Sequence, residues 1–157
     1  MATPQTSTED RLKVSRTIRA SRQRVFRAWT EPELMMRWFV EDDAEMSVCQ
    51  IDLREGGRYR LEGNVGGKAW RIRGEYLEVR PPERLVYTWT WDHDPGFGEQ
   101  TGDTLVTVEF RERGKETELV LTHERFATAK ARDEHDNGWK QCLDRLSKLA
   151  EKEEEFR

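Results

Sequence analysis

No stretch of this chain is apolar enough to cross a membrane: a spanning helix needs roughly 20 consecutive apolar residues, and the 157-residue sequence has no such run. The opening, Met1 to Asp10, is polar and lacks the apolar segment of a secretory signal. Cysteine is scarce. Cys49 and Cys142 stand far apart without metal-ligand spacing, and read as free thiols in a reducing compartment, with one disulfide between them still open. A cytoplasmic protein is expected. An excess of one charge is also missing: 27 basic and 31 acidic residues leave a net charge of −4. A polyanion-binding face needs a basic excess, so duplex nucleic acid is excluded as a partner. Neither a Walker sequence nor G-x-G-x-x-G is present, and Gly56-Gly57 is turn chemistry rather than a phosphate cradle. No cofactor is implied. Internal repeats and linkers are absent as well, which at this length means one domain.

Aromatic residues, by contrast, are plentiful for so polar a chain: six Trp, three Tyr and six Phe within an apolar fraction of 35%. A core of few, bulky side chains either fills completely or encloses a space. The periodicity places them. Leu12, Val14 and Ile18 alternate with polar residues in a first strand, although Arg16 interrupts the series. Ser21 caps a short helix carrying Val25, Phe26 and Trp29. Thr30 and Glu33 form a T-x-x-E capping box for a second short helix with Leu34, Met35, Trp38 and Phe39. From Ala44 to Phe126 the period is two, in six segments separated by turns such as Glu55-Gly56-Gly57 and Pro81-Pro82. The period then returns to 3.6, where His135, Trp139, Cys142, Leu146 and Leu149 form the apolar stripe of a long helix.

One sheet face and one helix stripe must bury each other. A seven-stranded antiparallel sheet twists and curls, so the expected architecture is α+β: a curved sheet wrapped around the C-terminal helix, with the two short helices closing one end. Residues 1–10 are expected to be disordered, 11–152 to form the domain and 153–157 to fray.

Specific segments carry a resemblance. Trp29-Thr30-Glu31-Pro32-Glu33-Leu34 followed by Arg37-Trp38-Phe39 is similar to the entry motif of the activator of heat-shock protein 90 ATPase-like family. Arg54-Glu55-Gly56-Gly57-Arg58-Tyr59, Gly74-Glu75-Tyr76-Leu77-Glu78-Val79 and the stretch from Pro81 to Trp89 match too, as do Leu119-Val120-Leu121-Thr122-His123 and Gly138-Trp139. The resemblance spans residues 12 to 150. It implies the helix-grip fold of the START and birch-pollen-allergen-like superfamily, with a cavity between sheet and final helix. Lipid carriers, hormone receptors, cyclases and adaptors all use that fold.

The expected site is therefore the interior. Trp38, Tyr59, Trp70, Ile72, Tyr87 and Trp89 contribute from one side, with Phe110, His123, Trp139 and Cys142 completing the set. These residues read equally as packed core. His123 shares the inward parity of Leu119 and Leu121, as a ligand partner, an acid/base group, or a core histidine with satisfied nitrogens. Asp92-His93-Asp94 and Glu41-Asp42-Asp43 are the most metal-like triplets, yet neither has a second ligand cluster at diagnostic spacing, so no metal is expected. The Gly-containing stretch from Asp92 to Asp103 is a long connection, either a rim gate or a plain loop.

Three functions compete. Non-enzymatic binding of a small hydrophobic or aromatic molecule leads, and filling the space from Gly74 or Gly138 with leucine should abolish it in a folded protein. An adaptor for the heat-shock protein 90 ATPase comes second, with a chaperone as partner, but only about ten residues precede the first strand, where the eukaryotic co-chaperone carries a separate domain. A cavity enzyme such as a cyclase or hydratase is third, using His123 with Glu75 or Tyr87, provided a bulge near Tyr76 turns Glu75 inward. Either a monomer or a homodimer fits.

Overall fold

The computed structural model describes residues 10–41, 44–93 and 103–152, with His93 described by its backbone alone. The expected disorder of residues 1–9, the tail at 153–157, Asp42, Asp43 and residues 94–102 of the long connection read as a gate or a loop lie outside the described residues. Asp10 is already anchored, its carbonyl accepting from the Phe126 N–H at 3.1 Å.

The chain runs β1 (Arg11–Ile18), α1 (Arg22–Thr30), α2 (Pro32–Met35), β2 (Ala44–Ile51), β3 (Arg58–Val65), β4 (Lys68–Arg80), β5 (Arg84–His93), β6 (Thr104–Arg113), β7 (Glu116–Glu124) and α3 (Ala129–Ala150). The strands form one seven-stranded sheet in the order β1-β7-β6-β5-β4-β3-β2, and every described pairing is antiparallel. This is the α+β arrangement that the alternation implies and the helix-grip fold that the resemblance implies, with the two short helices directly after β1.

Ser21 caps α1 as its position indicates, its hydroxyl accepting from the Arg24 N–H at 3.2 Å. The expected Thr30–Glu33 capping box does not form. Thr30 ends α1 instead, where its hydroxyl donates to the Phe26 carbonyl at 2.9 Å, and Glu31 caps α2 without a side-chain bond. Consequently α2 is one turn long, and Trp38 and Phe39 sit beyond it in the chain leading to β2. Thr128 caps α3, accepting from the Ala131 N–H at 3.0 Å, so the Gly138-Trp139 segment lies in the helix interior.

The interruption at Arg16 has a local cause. β1 is an edge strand under α3, and Arg16 reaches across to the helix, its Nε meeting Asp144 Oδ1 at 3.1 Å. At 22 residues and 1.5 Å rise, α3 extends about 33 Å, enough to lie along the sheet. It buries Ala131, His135, Trp139, Leu143, Leu146, Leu149 and Ala150, the stripe read from the 3.6 period. Two bulges shape the sheet's middle. Asp92 is the extra residue between the Arg71↔His93 and Ile72↔Trp91 pairs, and Leu77 the extra residue between Tyr76↔Tyr87 and Glu78↔Val86. Leu77, on the outward parity beside buried Tyr76, is 48% exposed.

The outward charges pair both across and along strands. Arg111 and Arg113 meet Glu118 on β7, while Arg60 and Arg73, opposite each other, take Glu62 and Asp92. Each such exposed pair contributes only tenths of a kcal/mol.

The two interior glycines prove unequal. A β-carbon on Gly74 would run into the Thr88 carbonyl and the Tyr59 ring, so this position is closely packed rather than open. The expectation that Gly74→Leu leaves a folded protein is corrected accordingly. Around Gly138 there is nothing within 4 Å. In urea denaturation, Gly74→Ala should lower stability by roughly 1–3 kcal/mol through overpacking. Gly138→Ala, inside a helix with free space beside it, should raise stability by about 0.5–1 kcal/mol.

Candidate functional site

Between the sheet and α3 lies a cavity of about 210 Å³. Trp70 and Ile72 of β4 and Trp89 and Trp91 of β5 form its sheet side. From α3 come His135, Gly138, Trp139, Cys142 and Arg145, while Phe39, Val40 and Glu41, with Ala44 and Val65, close the end nearest β2 and β3. The inward parity of β4 and β5 survives the bulge at Asp92, so Ile72 and Trp91 face the same interior that Trp70 and Trp89 do. Gly138 on the opposite wall leaves room that any side chain would occupy.

Tryptophan rings dominate the walls. Trp89 meets Trp139 with ring centroids 5.2 Å apart and Phe39 at 6.1 Å, and Phe39 meets Trp70 at 6.2 Å. An indole N–H can donate and never accept. Trp139 Nε1 donates to His123 Nδ1 at 3.0 Å, and Trp91 Nε1 to His135 Nε2 at 2.9 Å. Those bonds fix both imidazoles. With Nδ1 accepting, His123 carries its proton on Nε2 and donates to Thr104 Oγ1 at 2.6 Å, while that hydroxyl donates onward to the Trp89 carbonyl at 2.9 Å. With Nε2 accepting, His135 carries its proton on Nδ1 and donates to the Ala131 carbonyl at 2.7 Å. The two neutral rings are thus opposite tautomers, 5.2 Å apart. The Trp89 N–H is buried without a hydrogen-bond partner among the described residues, a condition that costs about 1–3 kcal/mol.

Of the expected lining, the structure brings together Trp70, Ile72, Trp89, Trp139 and Cys142. Trp38 and Phe110 are corrected to the packed core: Trp38 donates to the Ala28 carbonyl at 2.8 Å, and both rings pack on Trp29, at 4.9 and 6.1 Å. Tyr59 and Tyr87 line a separate void of only about 10 Å³ behind Phe39 and Trp89. There Tyr59 donates to the Thr88 carbonyl at 2.6 Å, and the Tyr87 hydroxyl accepts from Trp29 Nε1 at 3.2 Å. Burial pushes both phenols up, out of the acid/base range. His123 stands behind Trp139, with 0% exposure and both nitrogens engaged, as a supporting group rather than a lining one. The bulge that was to turn Glu75 inward falls beyond Tyr76, so Glu75 keeps its outward parity opposite Arg58.

Among the residues that the lining expectation omitted, Trp91 and His135 carried a signal, since each shares the parity or stripe of an expected member. Phe39, Val40, Ala44 and Val65 lie at element ends, where periodicity says little. Glu41 and Arg145 are charged and belonged, by pattern, to the solvent. Cys142 donates to the Phe39 carbonyl at 3.3 Å, and burial pushes its thiol up to about 11, opposed by the adjacent Arg145. Both cysteines are free. Among the described residues no three His, Cys, Asp or Glu side chains converge as a metal site would require, and no helix is long and apolar enough to cross a membrane.

The family model described as Activator of Hsp90 ATPase homolog 1-like protein matches residues 19–151. A solved structure from Chromobacterium violaceum is similar over 91% of this chain and 98% of its own, at 28% identity and a TM-score of 0.79. A Nitrosomonas europaea structure is 25% identical over 94% and 98%, with a TM-score of 0.78. An AHSA1-like protein of Aeromonas hydrophila, at 22% identity over 87% and 90% and a TM-score of 0.69, shares the fold. No curated protein matches the chain in sequence.

The geometry at His123 sets a pH dependence. Burial, reinforced by His135, holds its pKa well below the usual histidine value. The unfolded chain takes up a proton near pH 6.5, whereas the native ring does not. Its contribution to stability is therefore complete above pH 6.5 and is lost as pH falls toward the native pKa, at up to about 1.4 kcal/mol per pH unit. Urea midpoints measured from pH 8 to pH 5 should fall on the acid side, and less steeply in His123→Gln. Parallel slopes in the two proteins would show that His123 titrates normally.

Proposed function

Because the chain belongs to the Activator of Hsp90 ATPase homolog 1-like family, within a fold that commonly binds hydrophobic ligands, we propose that it is a non-enzymatic binding protein for a small aromatic molecule held between sheet and α3. The observation that carries this reading is the cavity of about 210 Å³, walled by Trp70, Trp89 and Trp91 on the sheet and Trp139 on α3, with Gly138 left open opposite the sheet. An apolar cavity of about 150 Å³ accepts benzene, so this one suits one to two fused rings. Burying an aromatic group of 150–250 Å² yields about 4–6 kcal/mol, or a Kd between roughly a millimolar and tens of micromolar for the apolar part alone.

Binding is favoured over cavity catalysis by the state of the acid/base groups. Both nitrogens of His123 and of His135 are engaged, the Cys142 thiol stays protonated, and Glu75 lies on the other sheet face.

Calorimetric titration with indole, at concentrations up to a few millimolar, should give saturable one-to-one binding. Gly138→Leu, which places a side chain in the cavity without displacing backbone, should abolish it while circular dichroism stays unchanged. Binding that survives in a folded Gly138→Leu protein would place the ligand elsewhere and refute the reading. Activation of a chaperone ATPase, which the family description names, would not require Gly138 to be small, so the same variant separates the two roles.

A further inference from the structure

Among the described residues, the cavity wall carries one cation. Arg145 lies on α3 one turn beyond Cys142 and reaches the lining. Its guanidinium is held in place: Nε donates to the Trp38 carbonyl at 2.9 Å, and Nη2 to the Phe39 carbonyl at 3.3 Å while also approaching Cys142 Sγ at 3.4 Å. Those contacts occupy one edge of the planar fork and leave Nη1 without a partner among the described residues. Carbonyl oxygens orient a guanidinium but do not neutralise it, and no carboxylate pairs with Arg145 among the described residues. Glu41 also lines the cavity, exposed at its rim; its charge reaches Cys142, but it forms no ion pair with Arg145. A fixed guanidinium beside apolar walls, with no bonded carboxylate among the described residues, attracts an anion more strongly than a mobile surface arginine does, because its side chain is already ordered and the local screening is weak.

We propose that the ligand of this cavity is an aromatic carboxylate, its rings between Trp70, Trp89 and Trp139 and its acid group on the free edge of Arg145. This rests on the cavity reading above and adds the chemical class of the ligand. The neutral rings supply the apolar contact; the charge-assisted hydrogen bond to Nη1 supplies orientation and selectivity.

The test compares 2-naphthoate with the neutral 2-naphthalenemethanol by calorimetry at low ionic strength. The naphthoate should bind the natural protein at least about tenfold more tightly. In Arg145→Gln the two affinities should converge, with the alcohol's unchanged. Glu41→Gln, which removes the opposing charge, should tighten naphthoate alone by a few-fold. If Arg145→Gln does not fold, the natural protein decides alone: 2-naphthoate should also bind more tightly than the neutral 2-naphthamide. Equal affinities for the acid and its neutral counterparts in the natural protein, or a preference that survives in Arg145→Gln, would overturn the carboxylate assignment and leave the cavity reading intact. Binding of neither compound would overturn both.

Discussion

An indole N–H that can only donate constrains this interior more than any other feature. Four of the six tryptophans have their donors engaged inside the protein, by the Tyr87 hydroxyl, the Ala28 carbonyl and the two imidazoles. The histidines matter because each supplies the acceptor for one of these indoles, and each can do so only as a neutral ring of defined tautomer. Trp139 and Trp91 are thereby anchored from behind, so the walls of the cavity hold their positions rather than collapsing into the space beside Gly138. Deeper in, the Trp29 ring stacks on Trp139 at 6.0 Å, which joins the short helices to α3 and gives the wall a second support.

Most of the architecture was legible in the pattern of side chains. Alternation from Ala44 to Phe126 reflects a sheet with one buried face, and the stripe from His135 to Leu149 reflects a helix with one buried face; each periodicity is imposed by backbone geometry. What escaped the pattern shares a cause as well. Thr30 and Glu33 satisfy a capping-box spacing, yet Thr30 still belongs to α1, where its hydroxyl donates to the Phe26 carbonyl instead of accepting from the next helix. Gly74 and Gly138 are the same residue in sequence, and only the close approach of Thr88 and Tyr59 to the first distinguishes them. Arg16 looks like a break in an apolar face and Arg145 like a solvent-facing charge because periodicity assigns a residue to a face, whereas a long side chain ends several ångströms from its own backbone.

The same reasoning explains why half of the expected lining belongs to the cavity and half to the core. Inward parity states that a side chain is inside the sheet, not what lies opposite it. Phe110 and Trp38 face the bulk of Trp29; Trp70 and Ile72 face the gap beside Gly138. Tyr59 and Tyr87 fall between these cases, behind the partition that Phe39 and Trp89 make. The distinction between packed core and open space is a property of pairs of elements, so it appears only when the helix is seated on the sheet.

One pairing stands apart from the rest. Every other strand lies beside its neighbour in sequence, but β1 pairs with β7, matching Arg11 to Glu124 across more than a hundred residues. Closing so long a loop is entropically slow, and contacts of that separation lengthen folding times relative to local hairpins. The meander from β2 to β7 can assemble by successive hairpins, whereas β1, the first strand made, has no edge to join until the last is in place. Because α3 packs chiefly on β1, the helix finds its seat only once the first strand has arrived, and it is the two together that enclose the cavity.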